Sequence, residues 1–219
     1  TYVFSSTSDL SGDTISDTGG AADTIELNGA AGTYVVGAGI SGVESVNVTS
    51  STNGVDVDAS AYGSALTIEG GEGANSLTGT ASGDAMFGED GDDTLNGGGG
   101  TDTLEGGAGN DTFTGNGDGA NDTLYGGESS ADSGDADIAY YGAGYGLNLI
   151  SLGVGNALHV QIVNGGETDD LYGVEQIDLN GTLIDLNAPV FVMAAGYDSD
   201  TNTGTILSSH ATIQAAINA

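Results

Sequence analysis

The chain has no lysine and no arginine, although it carries 32 aspartate and glutamate residues and a formal net charge of -32 over 219 residues. Without these cations we expect no internal salt bridge. Charged residues make up only 15% of the chain, so cations are missing more than anions are in excess. The positive charge must come from outside the polypeptide, and divalent cations that prefer oxygen ligands suit this need. The same charge argues against binding to nucleic acid or anionic membranes.

Cysteine is also absent, which excludes disulfides and thiolate metal sites. No apolar run approaches about 18 residues, and no basic segment precedes an apolar one. The sequence therefore predicts neither membrane insertion nor a cleavable signal. There is a single proline among 41 glycines, while 37% of the residues are hydrophobic, which is enough for a folded core.

A nine-residue repeat begins at Gly70. The units read GGEGANSLT, GTASGDAMF, GEDGDDTLN, GGGGTDTLE and GGAGNDTFT, followed by GNGDGANDTLY with two extra residues. An acidic or amide residue holds the sixth position, and a larger apolar residue follows two places later. The apolar residues are Leu77, Met86, Leu95, Leu104, Phe113 and Leu124. A flexible Gly/Asp-rich linker is the alternative interpretation, but it has no reason to repeat an apolar residue every nine positions.

Each unit predicts one turn followed by one short strand. Glycine at positions one, two and four allows positive φ angles, which aim carbonyl oxygens at a common point. The carboxylate at position six closes this oxygen cage. The middle residue of the strand points inward, so two units complete one coil and successive coils bury a ladder of apolar side chains.

The units resemble the pattern G-G-x-G-x-D-x-U-x of the RTX (repeats-in-toxin) family. GGAGNDTFT matches it at every position, and GGGGTDTLE and GEDGDDTLN match it nearly as well. The resemblance implies an all-β, right-handed parallel β-roll or β-helix with calcium ions between the turns of successive coils. Roughly four to six ions would follow. The stacking would pair Asp84 with Asp102, Asp93 with Asp111, and Asp102 with Asp122.

The predicted calcium ligands are acidic or amide side chains and backbone carbonyl groups of the turns. The side chains are Asn75, Asp84, Asp90, Asp93, Asp102, Asp111, Asp122 and Asp137. The carbonyl groups are those of Gly71, Gly73, Gly88, Gly91, Gly97, Gly99, Gly106, Gly107, Gly109, Gly115 and Gly117. Asp137 belongs to a degenerate last repeat, SGDADIAYYGAG, which follows an insertion and is expected to close the stack.

Four segments are predicted along the chain. Residues 1–69 are expected to form metal-poor β-helix coils, because the strand-like triplets VNV, VDV and LTI recur every nine to eleven residues. Residues 70–139 form the calcium-binding roll, and residues 140–187 a capping β-hairpin and a module that follows the repeats. Residues 188–219 are either the start of another domain or a C-terminal segment such as an export signal. The hairpin would turn near residues 153–156 and place on one face Leu147, Leu149, Leu158, Val160 and Ile162.

Two related motifs suggest that modules are repeated in tandem. DDLYGVEQIDLNG resembles the D-x-L-x-G-[IV]-E-x-[IV] segment that often follows RTX arrays, and GVESVNV at 42–48 echoes its core. This flanking pattern is similar to regions of bacterial RTX-type surface-layer proteins and large adhesins. The similarity implies that the calcium roll lies within a longer β-helix.

Other candidate sites are weak. DSDTNTG at 198–204 spaces oxygens like the start of an EF-hand loop, but its glycine falls one position late and Ser209 replaces the bidentate glutamate, so a polar loop is favoured. His159 and His210 are interpreted as surface residues. Neither a nucleophilic triad, a zinc-ligand cluster nor a basic residue for uronate chemistry is visible, and we expect no enzymatic activity.

The sequence leaves two functions open. The first is a calcium-dependent structural segment of a bacterial surface layer, filament or adhesin, with self-association into a lattice or filament as a further expectation. The second is an RTX secretion and folding module attached to a type I secreted exoenzyme or toxin. In both, the chain would stay unfolded where calcium is scarce and fold outside the cell.

Overall fold

The computed structural model of the chain is a right-handed parallel β-solenoid whose wall is formed by two long sheets. It describes residues 1–6, 10, 14–16, 18, 20, 22–29, 31–49, 54–127, 135–152 and 158–186, without the side chains of 148–152 and 158. The predicted all-β roll is thereby confirmed. Within the described ranges no helix has the length and hydrophobicity needed to cross a bilayer.

Short strands alternate between the two sheets. The strands of the described residues are β1 (Tyr2–Phe4), β2 (Ile15–Ser16), β3 (Thr24–Leu27), β4 (Gly32–Val35), β5 (Ile40–Ser41), β6 (Ser45–Val48), β7 (Val55–Asp58), β8 (Thr67–Glu69), β9 (Ser76–Thr78), β10 (Ala85–Asp90), β11 (Thr94–Asn96), β12 (Thr103–Ala108), β13 (Thr112–Thr114), β14 (Thr123–Gly127), β15 (Ile138–Tyr141), β16 (Gly146–Leu152), β17 (Leu158–Asn164), β18 (Glu167–Tyr172), β19 (Gln176–Leu179) and β20 (Thr182–Asp185).

One sheet has the order β1-β3-β6-β8-β10-β12-β14-β18-β17-β16 and the other β20-β19-β15-β13-β11-β9-β7-β4. Neighbours are parallel from β1 to β18 in the first sheet and from β4 to β19 in the second. Strands therefore pair with their counterparts one coil away. The triplets VNV, VDV and LTI lie in β6, β7 and at β8, so the solenoid begins before the calcium repeats, as predicted.

Coil length separates the repeats from their flanks. In the repeats Ala85 pairs with Thr67 and Thr103, each 18 residues away, which is two nonapeptides. Upstream, Ile25 pairs with Val46 and Gly32 with Val55, so that these coils are 21 and 23 residues long. The nonapeptide pattern is absent from these longer coils.

The core is a double column of apolar side chains between the two sheets. Parallel pairing places Met86 next to Leu104, and Leu95 next to Phe113. All six apolar residues predicted from the repeat are fully buried. They continue the upstream column of Val46 and its neighbours without a break, because equivalent positions of parallel strands stack directly on one another.

Two hairpins cap the C-terminal end of the solenoid. β16 and β17 are antiparallel, with Leu147 opposite Ile162 and Leu149 opposite Val160, as predicted. β17 then pairs with β18, which returns parallel to β14. A second hairpin, β19 with β20, covers the other sheet and was not predicted. The predicted turn at 153–156 lies outside the described residues.

The expectation of no internal salt bridge is wrong at two places. The N-terminal ammonium group lies 3.7 Å from an Asp23 carboxylate oxygen. His159 Nε2 lies 2.7 Å from Asp170 Oδ1, and this contact becomes an ion pair when the imidazole is protonated. The composition argument counted only lysine and arginine. The His159 ring lies on the outer side of the cap, where it stacks on Tyr172.

Several predictions concern residues outside the described part of the chain. These are the EF-hand-like segment 198–204, His210, the C-terminal segment 188–219 and most of the insertion before Asp137.

Candidate calcium sites

The sixth positions of the repeats stack into two columns, one at each edge of the solenoid. The column between the first and second sheets is the first ladder, formed by Asn75, Asp93, Asp111, Asp137 and Glu175. The column on the return path is the second ladder, formed by Asp84, Asp102, Asp122 and Asp169. The pairs predicted from stacking, Asp84 with Asp102, Asp93 with Asp111 and Asp102 with Asp122, are neighbours in these ladders.

One hydrogen bond recurs at every step of the first ladder. The backbone N–H of each residue donates to a carboxylate oxygen of the residue one coil later. The donor–acceptor distances are 2.7 Å for Asn75 to Asp93, 2.8 Å for Asp93 to Asp111, 2.8 Å for Asp111 to Asp137 and 2.9 Å for Asp137 to Glu175. Each carboxylate therefore ties two coils together with one of its two oxygens.

The second ladder repeats this bond. It starts at the N–H of Leu66, which donates to Asp84 at 2.6 Å. The following distances are 2.7 Å for Asp84 to Asp102, 2.9 Å for Asp102 to Asp122 and 2.8 Å for Asp122 to Asp169. The aspartates of both ladders are buried, although strand spacing puts successive carboxylates only about 5 Å apart.

In Asp93 and Asp111 the second carboxylate oxygen is the candidate cation ligand. Oδ2 of Asp93 and of Asp111 is buried and has no hydrogen-bond partner, and the same holds for Oδ1 of Asn75. A buried oxygen of this kind is costly unless a proton or a cation satisfies it. The chain offers no lysine or arginine, so that the donor set fits a hard divalent cation.

Carbonyl oxygens of the next coil lie beside these carboxylates. A Cβ atom on Gly79 would meet both Asp84 Oδ2, at 2.7 Å, and the Gly97 carbonyl oxygen, and Asp84 Oδ2 also accepts the Thr80 N–H at 2.6 Å. A Cβ atom on Gly106 would meet Asp111 Oδ2 and, at 2.6 Å, the Gly126 carbonyl oxygen. Oxygens of two successive coils thus surround the space above the first glycine of a repeat. This mixed set of carboxylate and carbonyl oxygens suits calcium.

The glycines at the first position serve a different purpose from the one predicted. Positive φ angles occur at positions two and four, as at Gly107 (108°) and Gly109 (131°), but not at Gly88, Gly97 or Gly106 of position one. The prediction of positive φ at position one is therefore wrong for the five regular nonapeptides and holds only at Gly115 of the longer sixth unit, where φ is 73°. These glycines are required because a side chain would fill the space between the carboxylate and the next carbonyl group.

The glycines whose carbonyl groups were predicted to bind calcium lie in three environments. The carbonyl oxygens of Gly88, Gly97 and Gly106 face the first glycine of the preceding coil. Gly71, Gly73, Gly91, Gly107, Gly109 and Gly115 form the positive-φ turns. Gly99 faces Asp118, and Gly117 packs against the Tyr145 ring. The carbonyl oxygens of Gly126 and Gly173, which were not predicted, continue the column of Gly106.

Burial raises the pKa of the ladder carboxyl groups, because desolvation disfavours their charged form. Backbone N–H donors lower the pKa in part, while neighbouring carboxylates of the same ladder raise it further. The pKa is raised to about 6 in Asp93 and Asp169, to about 7 in Asp102, Asp111 and Asp137, and to about 8 in Asp122, and it is also raised in Asp84 and Glu175. Without a bound metal ion, ladder carboxyl groups therefore take up protons near neutral pH.

Asp169 and Glu175 are ladder residues that the sequence analysis missed. Both belong to the DDLYGVEQ motif, which was used only to recognise a module. Its upstream echo behaves alike, since Glu44 Oε2 accepts the N–H of Asp23 at 2.8 Å, as Glu175 Oε2 accepts that of Asp137. The glutamate of the motif thus accepts the N–H of the preceding coil at both places, and beyond Glu44 the column continues through Leu66 to Asp84. The recurrence of G-V-E was the signal that could have revealed this role.

Asp90 stands apart from the ladders. Its side chain is exposed at the end of β10, and its carbonyl group accepts the N–H of Gly73. Its place among the ligands stays a prediction. No three histidine, aspartate or glutamate side chains of the described residues gather as a metal-ligand cluster, so the ladder sites depend on backbone carbonyl oxygens.

A buried ladder of carboxylates joined by glycine turns defines a calcium-binding β-roll. A family model described as RTX calcium-binding nonapeptide repeat (4 copies) matches residues 67–95, 87–119 and 96–130. The segment that spans residues 67–130 therefore carries RTX calcium-binding repeats, and its oxygen sets suit calcium. No curated protein and no solved structure matched the chain.

Proposed function

We propose that the chain is a calcium-dependent, extracellular structural segment of a bacterial surface layer, filament or adhesin, without catalytic activity of its own. The observation that carries the proposal is the pair of buried ladders in a chain without lysine or arginine. Two unit charges about 5 Å apart repel each other by about 3 kcal/mol at an effective dielectric constant of 20. Ionised ladders without cations therefore oppose folding.

Calcium would supply the missing positive charge between successive turns, at roughly four to six positions. Affinities on the order of 10⁻⁴ to 10⁻³ M, as in other extracellular calcium modules, would keep the chain unfolded inside the cell. Outside the cell the ladders would close and the solenoid would become a rigid rod. RTX repeats are typical of secreted bacterial proteins, which supports an extracellular location.

A structural role is favoured over a secretion module because the solenoid extends beyond the calcium repeats. Coils without the nonapeptide pattern precede the repeats, and a glutamate of the same motif accepts the N–H of the preceding coil at Glu44 and at Glu175. The alternative is an RTX folding module of a type I secreted exoenzyme or toxin. It is supported by the repeats themselves, which the two functions share.

Circular dichroism during a calcium titration tests the calcium part of the proposal. Wild type should gain β-structure with calcium, and Asp102→Ala and Asp111→Ala should require more of the ion. Spectra that are unchanged by chelation would contradict calcium-dependent folding. Electron microscopy with and without calcium then separates the two functions. Ordered lattices or filaments that form only with calcium support a structural protein, and monodisperse particles in both conditions support a folding module.

A further inference from the structure

The base of the first capping hairpin contains a second kind of oxygen cluster. Here Asn116, in the turn after β13, donates to the Tyr140 carbonyl group of β15, and Tyr145, directly before β16, donates to Glu167 of β18. We call this the hairpin junction, and it is formed by Asn116, Tyr141, Tyr145, Glu167 and Asp169. Only Asp169 of these residues belongs to a ladder.

Three side chains of the junction carry a buried oxygen without a hydrogen-bond partner. These oxygens are Asn116 Oδ1, Glu167 Oε1 and Asp169 Oδ2. Their residues are only 1%, 6% and 0% exposed, so water does not reach the oxygens freely. Each is an atom type that divalent cations accept as a ligand.

The other polar atoms of the same side chains are already used, which fixes their orientation. Glu167 Oε2 accepts the Tyr145 hydroxyl at 2.8 Å, and Asp169 Oδ1 accepts the N–H of Asp122 at 2.8 Å. Asn116 Nδ2 donates to the Tyr140 carbonyl oxygen at 3.5 Å. These hydrogen bonds hold the three side chains in place. The oxygens without a partner therefore have fixed positions.

Contacts through the two tyrosines connect the segments that carry the three side chains. A Cβ atom on Gly117, next to Asn116, would lie 2.8 Å from the Tyr145 hydroxyl, which is bound to Glu167. The buried Tyr141 hydroxyl has its pKa raised by burial and then by the charges of Asp169, Asp122 and Glu167. Even if Tyr141 donates to Asp169, the oxygens of Asn116 and Glu167 remain without a donor.

We propose that the hairpin junction binds one further calcium ion through the side-chain oxygens of Asn116, Glu167 and Asp169. The site differs from those of the nonapeptide turns, because an amide and two carboxylates take the place of the glycine carbonyl groups. Bound calcium would fasten the hairpin to the last repeat. The inference rests on the proposed function only in requiring that calcium reaches the folded chain.

Counting the bound calcium ions of the full chain tests this site. Equilibrium dialysis followed by atomic emission gives the number for wild type, for Glu167→Gln and for the control Glu105→Gln, whose side chain is exposed on β12. The expected result is one ion fewer in Glu167→Gln and an unchanged number in the control. An unchanged number in Glu167→Gln overturns the proposal. If wild type binds no calcium, the proposed function itself has failed.

Terbium luminescence gives a second measurement if Glu167→Gln does not fold. Tb³⁺ replaces calcium and emits when a nearby tyrosine is excited, and Tyr141→Phe keeps all the carboxylates in place. We expect the tyrosine-sensitised emission to fall at least twofold in Tyr141→Phe and to be unchanged in Tyr125→Phe, which lies exposed on β14. Equal emission in both variants overturns the junction site.

Discussion

The repeat coils and the coils that precede them satisfy their buried polar groups in different ways. Upstream, the Tyr62 hydroxyl donates to the Val43 carbonyl oxygen at 2.6 Å and accepts the Val43 N–H at 3.1 Å, so that one side chain completes both backbone groups of a buried turn. In the repeats, Oδ2 of Asp93 and of Asp111 is buried and has no hydrogen-bond partner in the protein. One region of the solenoid therefore completes its hydrogen bonds with protein groups, and the other offers buried oxygens to a cation.

Removal of calcium should produce the largest difference in stability between the two regions. We expect a chelator to unfold the ladder coils between Gly70 and Gly127, because their ionised carboxylates lose their counter-charge. The coils from Asp23 to Val48 should keep more of their structure. Hydrogen exchange measured by mass spectrometry, with and without chelator, reports each region separately. Equal loss of protection in both regions would contradict the proposed difference.

Acidification should partly replace calcium in the metal-free chain. Six ladder aspartates have folded-state pKa values of about 6 to 8, above the ordinary 3.8, and these are Asp93, Asp102, Asp111, Asp122, Asp137 and Asp169. Between about pH 4 and pH 8 the folded state therefore binds more protons than the unfolded state, and the free energy of unfolding falls as the pH rises.

This pH dependence can be measured by circular dichroism in chelator. More β-structure is expected at pH 4.5 than at pH 8. With calcium present, the apparent affinity should instead fall on acidification, because ligands must release protons to bind the ion. Metal-free spectra that are independent of pH would contradict the raised pKa values.

Asp93→Asn should lower the calcium-dependent stability, whereas Asp92→Asn should not. Both variants remove one negative charge from the same repeat, but Asp93 is buried in the first ladder and Asp92 is exposed. Loss of one ion costs about 2.7 kcal/mol at a calcium concentration 100 times its dissociation constant. Urea unfolding at a fixed calcium concentration gives the difference, and similar losses in the two variants would argue against a ladder ligand at Asp93.

Tyr62→Phe should destabilise the upstream coils with or without calcium. The change leaves the buried N–H and carbonyl groups of Val43 unpaired, which costs about 1–3 kcal/mol. Hydrogen exchange should increase around Val43 and not around Asp111. A loss of protection that calcium reverses would show that the two regions do not differ in the proposed way.

Glu89→Gly should give the smallest effect, a gain of about 0.5 kcal/mol. Glu89 holds the second position of its repeat with a φ of 75°, which costs a residue other than glycine about 1–2 kcal/mol. The added entropy of glycine in the unfolded chain offsets about 0.5–1 kcal/mol of this gain. Glu72→Gly, where φ is not positive, is the control and should destabilise the protein in thermal unfolding at saturating calcium.

The sequence predicted the parts of the structure that follow from its nine-residue period. Leu104 and Asp111 were placed correctly because stacking of equal coils converts a period directly into neighbours. Asp169 was missed because 47 residues, including a hairpin, separate it from Asp122, to which it is bound. Glu175 is separated from Asp137 by 38 residues in the same way. Once the coils become unequal, contacts depend on loop paths that periodicity does not describe.

The role of first-position glycines could not be predicted for a different reason. Sequence shows that Gly106 is a glycine but not whether the backbone angle or the available space requires it. Here the space requires it, because an oxygen of the next coil lies where Cβ would be. Likewise, nothing in the spacing of Tyr62 indicates that its hydroxyl completes the Val43 turn.

The direction of the ladder bonds has a mechanical consequence. Backbone bonds between parallel strands, and the bonds from N–H groups to ladder carboxylates, both run along the solenoid axis. A pulling force applied at the two ends would therefore load the coils in series, and the weakest coil would yield first. We expect the upstream coils to extend before the calcium-bound repeats. The calcium concentration would then determine which part of the molecule extends under force and which part stays rigid.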